Sequence, residues 1–134
     1  MEEKPIGEAI VICDQIITEV GTNKKSLIGV FNGIAGVAFP VQHPRLCVYC
    51  AMSNGRGQGT LQLKCIRVED SSEVARVSGN VNFVDPNAVV ELIFNFLNIP
   101  FERPGLYTFE LDCEGEYLME KRFNVLQLQP PPRR

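Results

Sequence analysis

Histidine occurs once in this sequence, at His43, tryptophan is absent, and no apolar run is long enough to cross a bilayer. The single histidine and the short apolar runs each count against a class of function. A serine or cysteine nucleophile needs a base within reach, and here only His43, beside Pro44, could serve; it is expected to shape a loop. The longest weakly polar stretch, Ser26 to Val41, is broken by Asn32, several glycines and Pro40. It falls short of the roughly 20 apolar residues a spanning helix needs. Basic charge is also in deficit, with 13 Lys and Arg against 16 Asp and Glu, a net charge of −3. Phosphate binding calls for a basic face, and none is visible. Neither nucleic acid nor membrane is expected as a partner. The chain opens on Glu2 and Glu3, and Glu8 and Asp14 flank a short apolar run, unlike a secretory signal. A cytoplasmic location is expected.

What the sequence does contain is the make-up of one globular domain: 134 residues, 45% hydrophobic and 22% charged. Short β-branched or aromatic runs alternate with turn residues, the pattern of an all-β domain. Strands are expected over Glu8 to Thr18, Leu27 to Phe31, Arg45 to Ser53, Thr60 to Glu69, Glu73 to Phe83, Ala88 to Leu97, Leu106 to Glu114 and Glu116 to Leu128. Between them stand the turn signals Asn54 to Gly59, Asp70-Ser71-Ser72, Asp85-Pro86-Asn87 and Glu114-Gly115. Pro100, Pro104 and Gly105 interrupt the chain before the seventh strand. A buried helix is the rival reading of Ala88 to Leu97, since periodicity alone does not separate the two. Its density of Val, Ile and Phe favours strand. The fold expected is a two-layer antiparallel β-sandwich of about eight strands over residues 1–128, with a Pro/Arg tail at 129–134.

The segment Pro104-Gly105-Leu106-Tyr107-Thr108-Phe109 resembles the entry to a late strand of immunoglobulin-like sandwiches, where a tyrosine packs at the corner. A wider resemblance runs through Cys13-Asp14-Gln15-Ile16-Ile17-Thr18-Glu19, Lys24-Lys25-Ser26-Leu27-Ile28-Gly29-Val30-Phe31-Asn32, Phe39-Pro40, His43-Pro44, Asp85-Pro86 and Pro104-Gly105-Leu106-Tyr107. With these segments the chain is similar to a family of small bacterial proteins of unknown function. The resemblance implies a compact β-sandwich and brings no activity, ligand or catalytic residue.

No catalytic, cofactor or metal site emerges from the motifs. Cys47 and Cys50 form a C-x-x-C within a strand pattern, where residues three apart point to opposite faces. A redox motif needs a helix N-terminus, and zinc needs two more ligands. All five cysteines, Cys13, Cys47, Cys50, Cys65 and Cys113, are therefore expected to be reduced and buried. The glycine-rich Asn54 to Gly59 lacks the lysine and helix of a phosphate loop. Asp70, Glu73, Asp85 and Asn87 are turn residues before they are calcium ligands, and Glu110, Asp112 and Glu114 read as the solvated face of a strand. An enzyme is not expected.

One uneven distribution suggests a use. Thr60 to Arg67, Glu73 to Phe83 and Leu106 to Glu114 alternate apolar and polar. The strands at Glu8 to Thr18, Leu27 to Phe31 and Arg45 to Ser53 are apolar on both faces, and such strands are usually covered on both. If they share a sheet, its outer side needs a cover: a second copy of the chain, another protein, or the connection from Asn32 to Pro44. Ile28, Val30, Ile34, Phe39 and Tyr49 are the candidate interface residues. The function expected is a non-enzymatic interaction or assembly module, with a carrier of small apolar ligands between the sheets as the alternative and an uncharacterised hydrolase a distant third.

Overall fold

Nine strands and no helix make up residues 3–132, the part of the chain that the computed structural model describes. In chain order they are β1 (Ile6–Thr18), β2 (Lys25–Val30), β3 (Gly33–Gly36), β4 (Val41–Ser53), β5 (Gly57–Arg67), β6 (Ser72–Phe83), β7 (Val90–Phe101), β8 (Gly105–Cys113) and β9 (Glu116–Gln127). Residues Pro130 to Pro132 carry no strand, and the expected tail residues Arg133 and Arg134 lie outside the described residues.

The strands form two sheets, β2-β1-β4-β7 and β3-β9-β8-β5-β6. Every pairing is antiparallel except that of β3 with β9. The orders β1-β4-β7 and β9-β8-β5 are those of the A-B-E and G-F-C strands of an immunoglobulin sandwich. No strand stands at the D position, so β7 is an edge. The corner tyrosine is present as well: Tyr107 is fully buried at the start of β8, and its hydroxyl donates to the Arg103 carbonyl at 2.7 Å.

The core lies between the sheets. Ile12, Leu46, Val48 and Met52 enter it from one side and Leu61, Leu63, Leu111 and Val125 from the other. Four rings fill its centre: Phe101, Tyr107, Phe109 and Phe123 make contacts with centroids 5.1 to 5.8 Å apart. Each buried ring contributes about 1.5–3 kcal/mol by leaving water, and favourable ring pairs add about 1 kcal/mol.

Three local features depart from what the residues alone suggest. A ninth strand, β3, is the short Gly33-Ile34-Ala35-Gly36 segment, which pairs parallel with β9 and sends Ile34 into the core. Pro100 is not in a connection but inside β7, opposite Gln42, tolerable because an edge strand has no second neighbour to bond. His43 likewise lies in β4, not in a loop, with its ring 5.3 Å from that of Phe31. The 90–101 segment itself is a strand: Phe94 and Phe96 point inward while Leu97 between sheet and solvent is 72% exposed.

Candidate functional site

The three strands with two apolar faces, β1, β2 and β4, do share a sheet. Its inner face carries Ile10, Ile12, Val48, Cys50 and Met52 into the core. Its outer face carries Val11, Cys13, Cys47, Tyr49 and Ala51, joined by Ile93 from β7, which pairs with Tyr49. Cys13, Cys47 and Ala51 are buried although they lie outside the core cluster, so something covers them.

The cover is the sheet's own hairpin. The first half of β1 pairs with β4, from Ile6 opposite Ser53 to Cys13 opposite Cys47. The second half pairs only with β2, ending at Thr18 opposite Lys25. A straight strand would place Thr18 about 30 Å from Ala9. Yet Lys25 Nζ lies 3.5 Å from the carboxylate of Glu91, which stands level with Ala9 two strands across the sheet. Two side chains can span at most about half that distance, so the β1–β2 arm must bend back over the outer face. At the bend Gly29, with φ of 69°, sits against Asp14; a Cβ there would lie 2.5 Å from the Asp14 carboxylate. Only glycine adopts that backbone without cost beside so close a neighbour.

Alternation then divides the arm into two faces. Ile16, Lys25 and Leu27 are half-buried, turned toward the sheet. Ile17, Ile28 and Val30 point away and remain 44%, 45% and 57% exposed. Lys25 is the pin. Its side chain is only 11% exposed, and its partner Glu91 also accepts the hydroxyl proton of Tyr49 in a short hydrogen bond. Burial, followed by that bond and the charge of Glu91, pushes the Tyr49 phenol up to about 12.

The structure therefore separates the five residues picked out from the sequence. Ile28 and Val30 are both exposed on β2, either side of Gly29. Tyr49 belongs to the layer beneath it, half-buried and bonded to Glu91. Ile34 is a correction: 6% exposed, it is a core residue and offers nothing to a surface. Phe39 packs against the same core. The Asn32 to Pro44 connection does not cover the outer face, because β3 within it crosses to the other sheet. Ile17, which joins Ile28 and Val30, was not among the five. Its signal was present in the two-faced alternation of β1, but only the bend decides which face stays outside.

The five-stranded sheet offers a different outer surface. Gln62 bonds Ser78, Thr60 bonds Asn80, and Lys64 pairs with Asp112 at 2.9 Å across adjacent strands. An open groove of about 520 Å³ runs beside this ladder, lined by Gln58, Thr60, Asn80, Asn82 and Glu114. Glu110 stands opposite Glu120 in register, and burial and then Asp112 raise its carboxyl above the usual range. The turn carboxylate Asp70 is held well below that range by Arg67 and Ser72, which bond it directly.

Residues 8–126 match the model of a family of unknown function, DUF6941. The chain belongs to DUF6941. No curated protein matches it. The DUF6941 match runs from within β1 to within β9, so the arm and both sheets are parts of the family's domain. The cysteine pattern of this DUF6941 chain is that of a strand protein: all five are buried, with Cys50 in the core and Cys47 on the opposite face. Burial pushes Cys50 and Cys65 up to about 12, which leaves them protonated thiols at neutral pH. Among the described residues no helix is long and apolar enough to cross a membrane.

Proposed function

We propose that this DUF6941 domain is a non-enzymatic interaction module that docks a protein, either a second copy of itself or a different chain, through the outward face of the β1–β2 arm. The observation that carries the reading is the exposure of three branched apolar side chains, Ile17, Ile28 and Val30, on the two strands of one edge hairpin. Branched aliphatic side chains held on a rigid strand surface are where a partner gains the most from excluding water. The edge strand β2 adds backbone groups that a partner strand can pair with. Against the carrier alternative stands the filling of the space between the sheets by contacting rings, while the open groove lies on the polar outer surface.

The test is native mass spectrometry of the protein taken from its own cells, compared with an Ile28→Asp variant. The expected result is a stoichiometric protein complex or a defined homo-oligomer, lost in Ile28→Asp with no change in melting temperature. A wild-type monomer carrying a small-molecule mass would transfer the reading to the carrier. A complex that survives Ile28→Asp would remove the arm from it.

A further inference from the structure

Cys13 of β1 and Cys47 of β4 are direct cross-strand partners, on the face that the arm covers. Opposed residues of antiparallel strands hold their Cα atoms about 4.5–5.5 Å apart. That lies inside the roughly 4.4–6.8 Å range of disulfide-linked cysteines. Both thiols donate to backbone carbonyls of the arm. Cys13 Sγ donates to the carbonyl of Gln15 at 3.5 Å and Cys47 Sγ to that of Asp14 at 3.6 Å, successive peptide groups at the bend of the arm. A further bond from Cys47 Sγ to Asn95 Oδ1, at 3.1 Å, keeps the second thiol in place. Both are free thiols, and both are fully buried. Cys50 and Cys65 are placed differently. Cys50 faces Ile10 and Leu92, and Cys65 faces Ala75 and Phe109.

We propose that Cys13 and Cys47 are a reversible dithiol–disulfide pair, oxidised by low-molecular-weight disulfides, whose closed form fastens the root of the arm to β4. One thiolate displaces a sulfur of the small disulfide, which leaves as a thiol; the second thiolate then breaks that mixed disulfide and forms the Cys13–Cys47 bond. Two S–H bonds and one S–S bond break, one S–S bond forms, and the two protons end on the two released thiols. Burial, with Cys47 adding to it, holds the Cys13 thiol above its ordinary range, so the exchange is slow and proceeds when the arm lifts. Oxidation changes the arm itself: once linked, its root can no longer part from the sheet.

The experiment uses the full chain under native conditions, equilibrated with graded ratios of reduced to oxidised glutathione. After acid quenching, denaturation and alkylation, intact mass and peptide mapping read the result. The expected outcome is the loss of two alkyl labels relative to the reduced chain, a peptide pair joined through Cys13 and Cys47, and full recovery with a dithiol reductant. A Cys50→Ala variant should give the same link, and oxidation in denaturant should scatter it among other cysteines. Full labelling at every ratio would overturn the proposal. So would glutathione left attached at Cys13 or Cys47, or a link through Cys50.

Discussion

Replacing Lys25 tests whether the arm lies where the geometry places it. Beside its bonds to the carbonyl and side-chain oxygens of Asn23 within the arm, two terms hold this side chain to the sheet. The first is the ion pair with Glu91, formed by a side chain 11% exposed with one 30% exposed. A partly screened pair of this kind is worth about 1 kcal/mol. The second is the aliphatic stem, whose burial adds on the order of 1 kcal/mol at about 0.8 per methylene for the part held against the sheet. Lys25→Met keeps the stem and removes the charge, so arm opening should become about five-fold more frequent. Lys25→Ala removes both, about 2 kcal/mol in total, and opening should rise roughly 30-fold, since 1.4 kcal/mol is a factor of ten. The assay is native labelling of Cys47 by an alkylating reagent, at concentrations where closing outruns reaction, with quantification by peptide mass. Cys50, on the opposite face in the core, is the internal control. Labelling of Cys47 should accelerate while that of Cys50 stays slow. Unchanged labelling of Cys47 in Lys25→Ala would refute the folded-back arm. Equal acceleration of both cysteines would mean that the whole domain opens and the arm has no separate motion.

Further consequences concern the core and the pH range. Tyr107→Phe deletes the hydroxyl bond to Arg103 and should cost about 1 kcal/mol, near 3 °C in melting temperature; calorimetry showing no change would remove the corner bond from the account. Phe123 touches three other rings, and Phe123→Ala should cost about 3–5 kcal/mol in denaturant unfolding, whereas a loss under 1 kcal/mol would mean a poorly packed centre. Tyr49 is raised to about 12 from its ordinary 10, so the folded state holds this proton more tightly than the unfolded chain does. The stability it contributes is intact below about pH 10 and is lost as the pH climbs towards 12. Tyr49→Phe should therefore flatten that part of the alkaline unfolding curve, and parallel curves for the two proteins would contradict the assignment.

The sandwich was legible because alternation is a local property. In β8, Tyr107, Phe109, Leu111 and Cys113 recur at every second position, and all four are buried. The same rule showed that β1, β2 and β4 have two apolar faces and need two covers. It could not show what covers the second, because that depends on a bend in β1 fixed by a contact between Lys25 and Glu91, residues far apart in sequence. Gly29 facing Asp14 was the local trace of that bend, a positive-φ position inside what otherwise reads as a strand. β3 gives no local signal because it has four residues, two of them glycine, and each pairs with a β9 residue 91 positions later. Ile34 and Phe39 read as surface for the same reason: an apolar residue in a connection gives no sign of which layer receives it. Pro100 broke a pattern only because an edge strand and a central strand look alike until the sheet order is known.

Whether the outward face of the arm receives a protein can be read by site-specific photo-crosslinking. A photoreactive residue is placed at Ile28 in one full-length variant and at Ser78, on the polar sheet, in another, and both are irradiated in the protein's own cells. Position 28 should give one discrete, saturable cross-linked protein species and position 78 none. Cross-links of equal yield from both positions, or none from position 28, would contradict docking there.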